Sequence, residues 1–226
     1  MSNVKKYFSL AVFVTALVVM VAQSHGQATR ITYSEPAADD ARNPKFEIVG
    51  RVGGNYLVYR TPRDNQHQIV AYDNNMKTVA TADLDDVMPA KILYTNVFAY
   101  RDFFYLVYQY QQRNTVICAR ITLDGKGNII APPATLDTTI INGSANSKVY
   151  EVQQSEDKNK FAVIKITKRK RVQFNLKAKI FDRNFQTLHI AEVSIPNITE
   201  QDMLNELCVD NAGNLFLTKV TTNNQK

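Results

Sequence analysis

The 226-residue chain is 45% hydrophobic, 21% charged and 10% aromatic, a globular composition that excludes disordered, collagen-like and low-complexity classes. Its formal charge of +6 lacks the concentrated basicity of a dedicated nucleic-acid-binding protein. Two cysteines, three histidines, eight glycines and no tryptophan exclude a disulfide-rich scaffold and most metal and catalytic signatures.

The N-terminus has the three-part organisation of a secretory signal peptide. Lys5–Lys6 precede an apolar run, Leu10–Ala22, and a polar stretch of small residues follows it. The run of about 13 residues is shorter than the ~20 that span a bilayer, so we expect cleavage rather than anchoring. Cleavage is predicted after Ala28, with Gly26 as the second option. Residues 1–28 are therefore interpreted as a signal peptide, and the protein as secreted, periplasmic or displayed at the cell surface.

The two cysteines, Cys118 and Cys208, each lie inside an apolar, strand-like stretch. Export to an oxidising compartment would allow them to pair. We nevertheless predict two free thiols in the core, because an unpaired cysteine in an apolar strand behaves as a small buried hydrophobe.

After a polar segment at 29–45, short β-type runs alternate with turn residues, and helical periodicity is almost absent. Four apolar runs recur at intervals of 49, 56 and 54 residues. These runs are Asn55–Arg60, Phe104–Gln109, Lys160–Lys165 and Asn214–Lys219. Continuous apolar runs favour strands that are covered on both faces.

An aspartate recurs in phase with these runs, 18, 20 and 22 residues after the first three starts, as Asp73, Asp124 and Asp182. Each is followed by turn residues and another β-type run, which predicts a hairpin. Pro132 and Pro133 fall in the strand after the second turn, so that strand is predicted to lie at a sheet edge.

A further β-type run precedes each apolar run, which gives four antiparallel strands per unit of about 50 residues. Units of this size and content resemble blades of the β-propeller superfamily. The predicted fold is therefore all-β: a partial β-propeller over 46–226, with three four-stranded blades and half of a fourth. The predicted blades are 46–85, 92–138, 149–196 and the partial 206–226. The resemblance is one of pattern, because the Trp-Asp pair of WD40 repeats is absent and a double glycine occurs once, at Gly53–Gly54.

Three and a half blades do not close a ring, because propellers have about four to eight. The chain is therefore expected to be the N-terminal part of a longer propeller or, alternatively, to close by oligomerising. A two-sheet sandwich of about 13 strands is the alternative fold, but it does not account for the recurrence. Before the last unit, Thr199 and Asp202 form a capping pattern that predicts one short helical turn.

No catalytic or metal-binding constellation is found, and no cofactor is assigned. His67 and His189, the histidines outside the signal peptide, are both predicted to be structural, with His67 exposed at a strand start. Nucleophile-elbow, zinc-protease and phosphate-loop motifs are absent from the sequence. Asp124–Asn128 and Asp210–Asn214 lack the alternate acids and distal glutamate of calcium loops, so they are interpreted as hairpin turns.

A candidate binding surface follows from the order of the links. In an up-and-down blade, the link between the second and third strands and the link to the next blade lie at one end of the sheet. The longer predicted loops fall at that end, and function tends to lie on such loops. The candidate ligand-binding residues are Arg63, Arg113, Lys168, Arg169, Lys170, Arg171, Tyr100 and Tyr110. The cations would attract an acidic glycan, a phosphate-bearing surface or an acidic protein.

The favoured function is a secreted or cell-surface, non-catalytic binding or scaffold module with a protein or glycan ligand at the long-loop face. Nucleic acid is not an expected partner, and open blade edges would allow self-association. The alternative is the N-terminal part of an exported propeller hydrolase or lyase, or of an envelope sensor. Two sequons, Asn142–Ser144 and Asn197–Thr199, would accept glycans in a eukaryotic host.

Overall fold

The computed structural model describes residues 31–36, 45–63, 66–169, 172–196 and 198–221. The chain divides into two compact units, Met1–Tyr33 and Ser34–Lys226, and the strands belong to the second. The predicted signal peptide lies outside the described residues. The described residues contain no helix, and hence none with the length and apolarity needed to cross a membrane.

The described part of the second unit forms four antiparallel sheets. The first sheet contains β1 (Lys45–Val52), β2 (Asn55–Thr61), β3 (Gln68–Tyr72) and β4 (Thr78–Asp83). The second contains β5 (Ile92–Ala99), β6 (Phe103–Gln112), β7 (Thr115–Asp124) and β8 (Ile129–Ile140). The third contains β9 (Tyr150–Gln154), β10 (Lys160–Arg169), β11 (Gln173–Asp182) and β12 (Thr187–Pro196), and the last contains β13 (Met203–Val209) and β14 (Leu215–Val220).

Each sheet is a meander in which strands pair in chain order. The predicted all-β class and the series of three four-stranded units followed by two strands are thus confirmed. Pro132 and Pro133 lie in β8, the outermost strand of its sheet, where the β7–β8 register shifts and neither proline has a partner in β7.

The predicted helical turn before the last sheet is wrong. Thr199 and Asp202 bond to each other as in a cap, but the chain then enters β13. Leu204 and Leu207 pack onto the third sheet, so tertiary packing overrides the local helical signal.

The sheets pack face to face in chain order. One apolar cluster joins the first and second sheets, another joins the second and third, and two join the third and last. The first and second sheets meet most closely at their first strands, β1 and β5, and the third and last sheets at theirs, β9 and β13. Sheets that converge on their first strands are compatible with a propeller-like arrangement.

Coverage of the strands depends on position in this stack. Residues Phe104–Gln109 of β6 and Phe161–Ile164 of β10 are buried on both faces, as predicted. In contrast, β2 alternates between buried and exposed positions and β14 is mostly exposed. The first and last sheets pack on one face only among the described residues, which leaves Ile48 73% and Phe216 54% exposed on the other face.

The predicted aspartate turns share one geometry. In each, the aspartate Oδ1 accepts hydrogen bonds from the backbone amides two and four positions later, and the residue three positions later has a positive φ. The pairs are Asp73 with Met76, Asp124 with Gly127, Asp182 with Phe185 and Asp210 with Gly213. The turn at Asp182 thereby directs the Phe185 ring into the core, where it stacks on Phe161 with centroids 4.3 Å apart.

Candidate functional site

The links between strands lie at two ends of the sheets. The long-loop end contains the described residues of the links that follow β2, β4, β6, β8, β10 and β12. The turn end contains the links 53–54, 73–77, 100–102, 125–128, 155–159, 183–186 and 210–214. This division follows from the antiparallel order of every sheet.

Four predicted cations belong to the long-loop end. Arg63 follows β2, Arg113 is exposed in the two-residue turn after β6, and Lys168 and Arg169 are exposed at the end of β10. The remaining two cations, Lys170 and Arg171, lie outside the described residues.

The two predicted tyrosines occupy opposite ends. Tyr110 lies near the long-loop end of β6, where it is half-buried and stacks on Tyr108 with centroids 5.9 Å apart. Tyr100 lies at the turn end and is 8% exposed. Its hydroxyl donates to the Lys158 carbonyl (2.7 Å) and accepts from Gln154 Nε2 (2.9 Å), and burial raises its pKa to about 12. The structure therefore does not bring Tyr100 to the predicted cations.

The 84–91 link, which joins the first sheet to the second, is held in place by a buried histidine. His67 is 3% exposed, so the expectation of an exposed histidine is wrong. Its Nδ1 lies 2.7 Å from the Tyr59 hydroxyl, and its backbone amide donates to Asp85 Oδ1 at 2.6 Å. Burial lowers the pKa of His67. Its Nε2 is buried beside the backbone of Pro89 and Ala90 without a hydrogen bond of normal geometry.

The 141–149 link, which joins the second sheet to the third, is held in place by two glutamines of β6. Gln109 is 1% exposed, and its side chain bonds the backbone of Val149 and Tyr150. Gln111 donates to the carbonyls of Arg113 and Gly143 and accepts from the amide of Ala145. Sequence reasoning missed both residues, although a glutamine that ends the apolar run of β6 is a usable signal.

The link between the third sheet and the last is held in place by Asp202. Its buried carboxylate accepts from the Thr199 hydroxyl (2.5 Å) and pairs with Lys219 (3.0 Å). These bonds, with Thr199 the larger contributor, hold the pKa of Asp202 at about 2. Lys168 donates to the carbonyls of Glu200 (2.7 Å) and Asp202 (2.6 Å). This predicted ligand-binding lysine is thus partly engaged within the chain.

The turn end carries a group that sequence reasoning missed, which we name the arginine–aromatic cluster. Its members are Arg120, Arg183, Tyr100, Phe103, Tyr105 and Phe185. They come from β6, β7 and the links after β5 and β11, so the cluster forms only when the second and third sheets pack.

Neither cysteine forms a disulfide. Cys118 is buried, as predicted, and burial raises its pKa to about 12. Cys208 is exposed rather than buried, because it lies on the uncovered face of the last sheet. Across the described ranges, no group of three or more His, Cys, Asp or Glu side chains could hold a metal ion.

No protein-family model and no curated protein matches the chain. Its function therefore has to be inferred from the geometry of its own residues.

Proposed function

We propose that the chain is an exported, non-catalytic binding module of β-propeller type that binds an acidic glycan or protein at the long-loop end. The observation that carries this proposal is that, at that end, two arginine side chains are exposed whereas three acidic side chains bond to other groups of the chain. Arg113 and Arg169 are exposed there, while Asp85, Glu151 and Asp202 bond within the chain.

These three acids lie in the links or, for Glu151, in the strand β9 directly after one. Asp85 accepts from the His67 amide, Glu151 pairs with Lys148 at 2.8 Å, and Asp202 bonds Thr199 and Lys219. Their charges are partly compensated locally, whereas an exposed arginine can donate to an external carboxylate or sulfate.

A fixed backbone supports recognition at Arg113. Its carbonyl accepts from Gln111 Nε2 at 2.6 Å, and the same glutamine holds the adjacent link at Gly143 and Ala145. A link that is already ordered loses less conformational entropy when a ligand binds. Arg113 is therefore presented on a prearranged surface.

Two further observations support the propeller and export parts of the proposal. Antiparallel meanders recur about every 50 residues, and the first strands of two neighbouring pairs, β1 with β5 and β9 with β13, lie against each other, as in blades. The apolar run Leu10–Ala22 after Lys5–Lys6 has the organisation of a cleavable export signal.

The test is binding to immobilised heparin and polyglutamate, two acidic probes, over a range of salt concentrations. The variant Arg113→Ser/Arg169→Ser is compared with Lys77→Ser/Lys126→Ser, which removes two exposed charges from the turn end. We expect the arginine variant to elute from at least one probe at clearly lower salt than the lysine variant. Equal elution of the two variants would show that only net charge matters and would refute the proposed surface.

A further inference from the structure

The arginine–aromatic cluster places two guanidinium groups against buried rings at the turn end. Arg183 Cζ lies 4.4 Å from the Tyr100 ring centroid and 5.7 Å from that of Phe103. Arg120 Cζ lies 5.3 Å and 5.2 Å from the centroids of Tyr105 and Phe185. A guanidinium stacked on a ring keeps its N–H edges available for in-plane hydrogen bonds.

Both arginines contact Tyr105. The Tyr105 hydroxyl donates to the Arg183 carbonyl at 3.1 Å, and the Tyr105 ring contacts Arg120. The Tyr100 and Tyr105 rings meet edge to face at 5.8 Å, which links the two stacked pairs. The two guanidinium groups therefore lie against rings that contact one another.

The two arginines have no carboxylate partner in the part of the chain that the structure describes. Among the described residues, no ion pair involves Arg120 or Arg183, although Lys179 between the same two sheets pairs with Asp137 at 2.6 Å. Arg120 Nη1 donates to Thr122, but its Nε is buried without a partner. The Arg120 guanidinium thus has one hydrogen bond within the chain and no charged partner among the described residues.

The nearby acids Asp182 and Asp157 do not pair with either arginine. Asp182 precedes Arg183, but its Oδ1 accepts from the amides of Asn184 and Gln186 in its own turn. Asp157, near Tyr100, bonds the Ser155 hydroxyl and the Asn159 side chain. Both carboxylates are therefore committed to turns.

We propose that the arginine–aromatic cluster is a second binding site, separate from the long-loop end, that takes a carboxylate side chain of an acidic peptide. Exposed Arg183 makes the first contact, and half-buried Arg120 provides a second charge behind it. The rings of Tyr100, Tyr105 and Phe185 are buried, so a ligand meets guanidinium edges rather than ring faces. Sugar recognition uses exposed ring faces, and this geometry favours the peptide over an acidic polysaccharide.

The test is fluorescence anisotropy with a labelled hexaglutamate peptide, with labelled oligogalacturonate as a probe of the other class. Arg183→Gln should raise the Kd about tenfold or more, because a charge-assisted, two-pronged contact is lost. Arg183→Lys keeps the charge but lacks the bidentate hydrogen-bonding geometry of a guanidinium group, and it should recover only part of the affinity. Arg120→Lys, which preserves a cation in the packed position, should weaken binding without unfolding the sheets.

Two controls separate this site from general attraction and from the long-loop end. Lys126→Gln removes one exposed charge from the turn end, and Arg113→Ser/Arg169→Ser alters the other end. Both control variants should retain the part of the hexaglutamate binding that Arg183→Gln weakens. The site is refuted if Arg183→Gln binds like the unmodified chain or if Lys126→Gln loses as much affinity. If labelled hexaglutamate does not bind while labelled oligogalacturonate binds and loses affinity in Arg183→Gln, the peptide assignment is overturned.

Discussion

The side chain of Gln109 pairs with the backbone of Tyr150 as a neighbouring strand would. Gln109 Nε2 donates to the Tyr150 carbonyl at 2.8 Å, and Oε1 accepts from the Tyr150 amide at 2.9 Å. The same oxygen accepts from the Val149 amide. A single side chain of β6 thus fixes where β9 begins, and with it the position of the third sheet relative to the second.

Replacing Gln109 with leucine is expected to destabilise the fold severely. The change leaves two backbone amides and one carbonyl without their partner, and each buried orphan costs about 1–3 kcal/mol. We expect the free energy of unfolding to fall by about 3 kcal/mol or more, measured by urea denaturation. Gln112→Leu, at an exposed position of the same strand, should change it by less than about 0.5 kcal/mol. Similar effects of the two replacements would contradict the role of Gln109.

Interactions of this kind mark the limit of prediction from sequence. The strands and aspartate turns follow from local patterns, because a hairpin is specified by its own turn residues. Gln109 and Tyr150 are 41 residues apart, and Tyr105 and Arg183 are 78 apart. Their contacts depend on how sheets stack, which strand periodicity does not encode. His67 was mispredicted for this reason, since the 84–91 link folds over it.

The first and second sheets approach so closely at the turn end that only glycine fits at position 125. A Cβ on Gly125 would lie 2.5 Å from the Val52 carbonyl oxygen, and the Gly125 carbonyl accepts from Asn55 Nδ2 at 2.8 Å. Gly125→Ala should therefore force the sheets apart and lower the free energy of unfolding by about 2 kcal/mol. Lys126→Ala, on the exposed neighbour, is the control. Equal stability of the two variants would disprove the close approach.

The two cysteines are expected to differ in reactivity. The exposed Cys208 should react with a maleimide in the native protein, whereas Cys118 is buried and its thiol has a pKa of about 12. Intact mass should show one adduct under native conditions and two in denaturant. With Cys208→Ser, native labelling should disappear. Two adducts on the native protein would contradict the burial of Cys118.

His67 should make the stability of the first sheet depend on pH. Burial lowers its pKa below the ordinary value of 6.5, so the unfolded chain binds more protons at that site as the pH falls through 6.5. The free energy of unfolding should therefore fall as the pH decreases from 6.5, by at most about 1.4 kcal/mol per pH unit. The nearby groups are Tyr59, whose pKa is raised to about 12, and Asp85 and Glu47.

A comparison with His67→Gln isolates the contribution of the imidazole. Urea denaturation at pH 7.5 and 5.5 gives the pH-dependent change for each protein. Glu47, whose pKa is raised by burial, is present in both proteins, so its titration largely cancels in the difference. The unmodified chain should lose more stability than His67→Gln between the two pH values. An equal loss in both proteins would mean that His67 takes up its proton as readily in the fold as in the unfolded chain.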